Sequence, residues 1–203
     1  MNTRDFRKEL TPLYAPSARD VAVVDIPPLN FLMVDGAGDP NGSVTYAGAV
    51  AALFAVSCAL KFRVRRGGQQ LDYGVTPLEG LWWTDRRGGG GDPEMTDRSG
   101  WRWTMMIMQP EFITLEMVQA ADTAKKKTLE ALPRLRFEAF AEGQAAQLLH
   151  IGPFSEEWPN IWKLHDFITD HAQMRGKHHE IYLSDVTRAD PSRWRTILRQ
   201  PMS

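Results

Sequence analysis

Short apolar or alternating runs along the chain, each closed by a turn rich in glycine, proline or asparagine, predict a set of β-strands. The predicted strands span residues 21–26, 29–35, 72–83, 101–108, 135–141, 145–151, 178–185 and 195–200. Pro77 lies inside the third of these and predicts an edge position or a bulge, because proline cannot donate to a strand ladder. The turn at Glu142-Gly143 predicts that the strands on either side of it pair as a hairpin.

Longer segments with helical spacing predict three helices. They are expected at residues 43–62, at 110–132, and after Ser155, where Trp158, Ile161, His165, Ile168 and Ala172 form a stripe. The first helix is apolar around nearly its whole circumference and should be well buried, with Ser43 as its N-cap. The second has its polar residues on one side and should be a surface connector ended by Pro133. In the third, Glu156 and Glu157 fall in the first turn, where the helix dipole favours acidic side chains.

The two halves of the chain repeat the order strand, strand, helix, strand, strand. Val21 corresponds to Arg134 in this alignment, and Leu29 corresponds to Ala145. The pattern predicts an α+β fold in which two pseudo-symmetric units form one curved antiparallel sheet backed by helices. A ligand cleft is expected where the units meet, on the open face of the sheet. The predicted division is an N-terminal surface arm at 1–20, a first repeat at 21–109, a connecting helix at 110–133 and a second repeat at 134–203.

Composition narrows the classes of partner. The chain has 203 residues, 43% of them apolar, and a net charge of −1, so no strong field attracts nucleic acid or an anionic membrane. Lys125-Lys126-Lys127 fits a solvated face. The N-terminus has no apolar signal core, and no apolar run reaches the roughly 18 residues that span a bilayer. The single cysteine, Cys58, fits a small core residue in a reducing compartment. A cytoplasmic protein without a membrane partner is expected, and a homodimer is left open.

Neither a cofactor nor a metal is expected. The tract Gly88–Gly91, in a linker at 86–100, lacks the Lys-Ser/Thr that completes a P-loop and fits a flexible hairpin loop. His178 and His179 are adjacent on a strand and point to opposite faces. His165 and His171 are six residues apart on a helix, off the four-residue spacing that aligns metal ligands.

The strand at 178–185 carries the strongest candidate chemistry. Glu180 and Tyr182 point to the same face of it, and glutamate is depleted in strands. The carboxylate of Glu180 fits either a solvated outer face or the bottom of a ligand cleft.

The repeat favours the cleft because it gives Glu180 a counterpart, Glu79, and because aromatic residues lie on the neighbouring strands. Aromatic walls around a carboxylate are typical of sites for flat, often cationic molecules. The candidates for the lining are Glu79, Trp82, Trp83, Trp101, Trp103, Met105, Phe154 and Trp162. Trp158 and Trp162 also fit the core beneath their helix.

Two motifs, His150-Ile151-Gly152-Pro153-Phe154 and Glu180-Ile181-Tyr182-Leu183-Ser184-Asp185, resemble the GyrI-like small-molecule-binding domain. Further similarity to a stand-alone branch of this family lies in residues 31–40, 77–83, 103–110, 137, 150–157, 176–185 and 196–201. The resemblance implies a tandem pair of SHS2 modules with a central cleft, in which Glu180 is the ligand-facing glutamate and Tyr182 lies beside it. Val186 and Trp158 depart from the family pattern, where proline and glycine are usual.

Two functions follow from this resemblance. Some stand-alone members hydrolyse the cyclopropane of DNA-alkylating cyclopropanoid compounds, which implies an enzyme in which Glu180 positions water and Tyr182 orients the water or the substrate. The alternative is a binder that sequesters or senses drugs with the same pocket. No DNA-binding motif precedes the domain, so a regulator would need a separate partner. Cys58, Ser155 and Ser184 do not lie in a nucleophile elbow, so no covalent nucleophile is expected.

Overall fold

The computed structural model describes residues 2–67, 71–84, 98–121 and 129–203. The strands, in chain order, are β1 (Asn2–Arg4), β2 (Ala22–Ile26), β3 (Leu29–Ala37), β4 (Leu71–Tyr73), β5 (Leu78–Thr84), β6 (Trp101–Gln109), β7 (Arg136–Phe140), β8 (Gly143–Ile151), β9 (His178–Tyr182) and β10 (Arg195–Pro201). The α-helices are α1 (Phe6–Glu9), α2 (Thr11–Tyr14), α3 (Val44–Arg66), α4 (Leu115–Gln119) and α5 (Trp158–His171).

Eight strands form one curled antiparallel sheet in the order β2-β8-β10-β9-β5-β6-β3-β7. In the two repeats, β2 corresponds to β7, β3 to β8, β5 to β9 and β6 to β10. When each strand is replaced by its counterpart, the same order is obtained from the opposite edge of the sheet. This confirms the α+β class and the single antiparallel sheet built from two similar units. The hairpin predicted across Glu142-Gly143 is wrong, because β7 pairs with β3 and β8 pairs with β2. The first strand of each repeat therefore completes the sheet of the other repeat. The boundaries of the repeats stay a prediction.

Helices α3 and α5 pack on the same face of the sheet, which we call the helical face. Leu164 and Ile168 of α5 pack with Leu198 of β10, which lies directly opposite Glu180. Ser43 begins α3 by accepting a 3.1 Å hydrogen bond from the backbone N–H of Tyr46. The expectation of a cleft on a face without helices is wrong, because the cavity lies between α3 and α5.

Helix α3 is only partly buried, contrary to expectation. Ala52, Leu53 and Leu60 pack into the core, while Val44 and Phe54 are exposed. The helix is also long and apolar enough by composition to cross a membrane, which corrects the expectation that no segment reaches that length. In the fold, its buried side chains pack onto the sheet as those of a core helix.

The N-terminal segment covers the opposite face, which we call the N-terminal face. Leu13 and Tyr14 are buried against Ile181 and Ile197, and Phe6 is buried farther along in the larger core. The expectation of a surface arm at 1–20 is therefore corrected. The reason is that three large apolar side chains within a polar stretch are enough to anchor it across the sheet.

Two further expectations change. Pro77 precedes β5, so it interrupts none of the hydrogen bonds of that strand. Strand β5 is therefore a central strand between β9 and β6 rather than an edge.

Helix α4 begins at Leu115, where the hydroxyl of Thr114 caps it, instead of at residue 110. Residues 122–128, which include Lys125-Lys126-Lys127, lie outside the described residues, as does the Gly88–Gly91 tract.

Candidate functional site

The register of β5 and β9 determines which predicted side chains meet. Residues directly opposite each other in an antiparallel pair point to the same face. Glu180 lies opposite Gly80, and Tyr182 lies opposite Leu78. Because Leu198 also faces Glu180, this set belongs to the helical face. The carboxylate and the phenol therefore point into the space between α3 and α5.

A cavity of about 1420 Å³ occupies that space and opens to solvent. Its floor includes Glu180 and Tyr182, and its walls come from both helices and from the loop after β9. The aromatic residues among its lining are Tyr46, Phe54, Trp82, Trp101, Phe154, Trp158, Trp162, Tyr182 and Trp194. A volume of this size holds a molecule of several fused rings.

A chain of hydrogen bonds fixes the acidic floor. The indole N–H of Trp82 donates to the hydroxyl of Tyr182 at 3.0 Å, and that hydroxyl donates to Oε2 of Glu180 at 2.6 Å. The Nε2 atom of His178 lies 3.4 Å from Oε1 of the same carboxylate. Burial and the charge of Glu180 hold the pKa of Tyr182 well above its usual value. The phenol therefore keeps its proton and orients Glu180, whose side chain is 16% exposed.

Glu157, at the start of α5, is a second carboxyl group in the cavity. It is 4% exposed, and its Oε1 atom has no hydrogen-bond partner among the described residues. Burial, followed by the negative charge of Glu180, raises the pKa of Glu157 to about 9. This group is therefore protonated at neutral pH and can donate a hydrogen bond.

Sequence reasoning missed Glu157 by assigning it to a helix dipole. The signal that could have found it is its spacing. Glu157 falls four residues before Ile161 and seven before Leu164, on the buried stripe of α5, while Glu156 falls outside that stripe and is exposed.

Four of the predicted aromatic walls do line the cavity, namely Trp82, Trp101, Phe154 and Trp162. The ring of Trp82 lies 5.5 Å from that of Trp101, and the ring of Phe154 lies 5.7 Å from that of Tyr182. Trp162 is 53% exposed, so it belongs to the cavity wall rather than to the core. Sequence reasoning did not single out Tyr46, which stacks against Trp82, or Trp194, whose ring contacts that of Phe154 at a tilt.

The structure does not bring Trp83, Trp103 and Met105 to the cavity surface. Trp83 points to the N-terminal face, because it neighbours Trp82 on a strand, and the ammonium of Lys177 lies 3.3 Å from its ring centroid. Trp103 and Met105 lie on the helical face but are fully buried beneath the floor. Tyr46 covers Trp103 in an edge-on contact at 5.3 Å.

Glu79 does not share the cavity with Glu180, which corrects the expectation of a carboxylate pair. It points to the N-terminal face, where its Oε1 atom accepts from the hydroxyl of Tyr14 at 2.8 Å. Its Oε2 atom lies 3.0 Å from Nε2 of His179, and Nδ1 of that ring lies 2.9 Å from Oε1 of Glu142. Arg199 completes this network by donating to Glu142 at 3.2 Å. The network joins the N-terminal segment to the sheet, and each of its charged groups has a partner of opposite charge.

The described residues do not form a cluster of metal ligands. Within them, no three side chains of histidine, cysteine, aspartate or glutamate cluster in a way that could hold a metal ion. The chemistry open to the cavity is that of two carboxyl groups in different protonation states, enclosed by aromatic rings.

Comparison with known proteins identifies the family of the chain. Residues 19–201 match the GyrI-like small-molecule-binding domain. A hydrolase from Listeria innocua is 38% identical over 100% of both chains, with a TM-score of 0.85. An uncharacterized conserved protein from the same organism is 39% identical over 98% of this chain and 99% of that chain, with a TM-score of 0.88. The C-terminal domain of EcmrR, at 12% identity, covers 91% of this chain and 97% of its own with a TM-score of 0.54, a likeness of fold alone. No functionally curated protein matches the sequence.

Proposed function

The chain belongs to the GyrI-like small-molecule-binding family, and from that premise we propose that it hydrolyses the cyclopropane ring of cyclopropanoid genotoxins, as a detoxification step. The ligand is a flat aromatic molecule held between the walls of the cavity. Glu180 positions the attacking water, and Tyr182 holds Glu180 in place. Two neighbours of 38% identity are described as hydrolases, which supports an enzyme of that broad class.

The observation that carries the proposal is the hydrogen-bond chain from Trp82 through Tyr182 to Glu180 at the floor of an aromatic cavity. A carboxylate with one oxygen bound by a phenol keeps its second oxygen in a fixed direction. A general base needs this restraint, since it must lie within hydrogen-bond reach of the water that it activates. The aromatic walls hold a planar substrate in one orientation above it.

The reaction is a net addition of water. The water oxygen bonds to a cyclopropyl carbon while the bond from that carbon to the conjugated ring breaks. The released electron pair moves through the ring to its carbonyl oxygen. Glu180 takes a proton from the attacking water and releases it to solvent, and the new oxyanion takes up one proton from solvent, so Glu180 returns to its starting state and the net reaction is the addition of one water molecule. Aligning water and ring in this way replaces a slow bimolecular attack with an intramolecular one.

A second candidate function is a binder that sequesters or senses planar drugs. The observation that favours it is the size and openness of the cavity, which would admit many ligands of similar shape. It uses the same walls and the same carboxylate but no attacking water. Turnover distinguishes the two functions.

The test is incubation with a cyclopropane-bearing DNA alkylator, followed by mass spectrometry for the ring-opened hydrate. Glu180→Gln keeps the shape of the side chain and removes its charge, so turnover should fall by about 10²–10⁴-fold. Glu156→Gln is the matched control, because Glu156 is exposed and does not line the cavity. Saturable binding without any hydrate would leave the binder and remove the hydrolase. Equal turnover in the Glu180 variant would remove the role of that residue.

A further inference from the structure

Glu157 and Glu180 are placed very differently in the same cavity. Tyr182 donates to Glu180 at 2.6 Å, whereas the buried Oε1 atom of Glu157 has no partner among the described residues. A buried polar atom without a partner costs free energy that a bound group can recover. Glu157 lines the cavity, so a ligand bound there can supply a hydrogen-bond partner to its carboxyl group.

The charge that acts most strongly on Glu157 is negative. Glu180 is the charged group whose field acts on it, from β9. The titratable and charged groups that face it or line the same cavity are Glu180, Tyr182 and His178 on β9, Tyr46 on α3, Asp185 after β9, Arg98 before β6 and Arg7 on α1. Two buried like charges repel strongly in a medium of low polarity. In the empty cavity, one carboxylate and one carboxylic acid is therefore the stable arrangement.

We propose that Glu157 is the residue that sets ligand selectivity, donating its proton to the carbonyl oxygen of a neutral planar polycycle and releasing that proton when a planar cation binds. The inference rests on the proposed function only in taking this cavity as the ligand site. A carbonyl oxygen gives the protonated carboxyl group an acceptor on the ligand. A cation between the aromatic walls offsets the repulsion between two carboxylates, so the second carboxylate forms as the cation enters.

The consequence is a different pH dependence for the two classes of ligand. The burial that raises the pKa of Glu157 to about 9 keeps its proton in place between pH 6 and 8. Binding of a cation must displace that proton over this range, so cation affinity should rise by about tenfold per pH unit. Binding of a neutral carbonyl compound needs the proton, so its affinity should be flat over the same range and should fall above about pH 9.

The experiment uses two probes of nearly equal shape on the full chain. N-methylacridinium carries a fixed positive charge, and N-methylacridone is neutral and presents a carbonyl oxygen. Calorimetric titration in buffers of different ionisation enthalpy should show close to one proton released per N-methylacridinium bound at pH 7. It should show none for N-methylacridone.

Variants separate Glu157 from its neighbours. Glu157→Gln cannot release a proton, so cation affinity should be weaker and independent of pH, while its amide still donates to N-methylacridone and keeps that affinity within about threefold. Glu156→Gln is the matched control and should behave as the unchanged protein.

Proton release that persists in the Glu157 variant, or no release in the unchanged protein, would overturn the inference while leaving the proposed function standing. Proton release without any hydrolysis of a cyclopropanoid would support the inference and count against the hydrolase. Failure of both probes to bind would overturn the inference together with the ligand site.

Discussion

The hydroxyl of Tyr182 donates a 2.6 Å hydrogen bond to the carboxylate of Glu180, two residues away on the same strand. Side chains at this spacing lie on one face of a strand, so the bond spans neighbouring positions without bending the backbone. Trp82 restrains the same hydroxyl from β5. The orientation of the acidic group therefore depends on two strands that come from different repeats.

Removing that hydroxyl should separate orientation from charge. Tyr182→Phe keeps the ring that contacts Phe154 but leaves Glu180 free to rotate and the indole N–H of Trp82 without its acceptor. We expect a loss of stability of about 1–3 kcal/mol, measured by urea denaturation. Turnover of a cyclopropanoid should fall by about 10–100-fold, by the reasoning that a misplaced base loses most of its effect. Unchanged turnover in a stable variant would mean that the restraint is not used in catalysis.

The cavity wall can be tested with two tryptophans of different placement. Trp162 lines the cavity, whereas Trp83 lies on the other face of the sheet beneath Lys177. Trp162→Ala should weaken binding of N-methylacridinium by about 0.5–1.5 kcal/mol, the contribution of an aromatic contact. Trp83→Ala should leave the dissociation constant unchanged within about twofold. Ligand fluorescence measures both, and equal effects of the two substitutions would contradict the assigned walls.

The sequence predicted the faces of individual strands better than the relation between strands. Alternation correctly put Glu180 and Tyr182 on one face, because that depends on neighbouring residues alone. The face of Glu79 depends on the register of β5 against β9, where a shift of one residue would reverse it. Nothing local specifies that register. The pairing of β7 with β3 was missed for the same reason, since a turn indicates a hairpin only when no distant strand competes.

Stability should depend on pH through the buried network on the N-terminal face. His179 sits between Glu79 and Glu142; although burial alone would lower its pKa, the charge and hydrogen bond of Glu142 raise it from 6.5 to about 9. The pKa of Glu142 falls from 4.5 to about 2, because the charges of His179 and Arg199 outweigh its burial. A raised histidine stabilises the fold fully below pH 6.5, and that contribution is lost as the pH rises towards 9. A lowered carboxyl stabilises above pH 4.5, and its contribution is lost as the pH falls towards 2. The highest stability from this network is therefore expected between about pH 4.5 and 6.5.

His179→Gln tests this network directly. The substitution leaves two buried carboxylates facing a neutral amide, so we expect a loss of about 3–5 kcal/mol at pH 6, the cost of breaking a buried ion pair from one side. The decline of the unfolding free energy between pH 6.5 and 9 should also disappear. His171→Gln serves as the control, because His171 is exposed near the end of α5. Thermal unfolding followed by circular dichroism measures both variants across pH, and a variant at position 179 that keeps the alkaline decline would contradict the assignment.

Beneath the cavity, Gly36 of β3 lies opposite Trp103 of β6. A β-carbon at Gly36 would lie 2.1 Å from the indole ring, far inside van der Waals contact. The ring is fully buried and covered by Tyr46, so it cannot move aside without disturbing the cavity wall. Gly36→Ala should therefore destabilise the protein by about 1–3 kcal/mol, the usual cost of overpacking a core. Gly48→Ala provides the contrast, because that glycine lies within α3 and an added β-carbon would meet nothing within 4 Å. Alanine is the better helix former, so this variant should be more stable by roughly 0.5–1 kcal/mol. Urea denaturation of the two variants measures the difference, and a neutral Gly36→Ala would mean that Trp103 is free to shift and that the floor of the cavity is softer than its packing indicates.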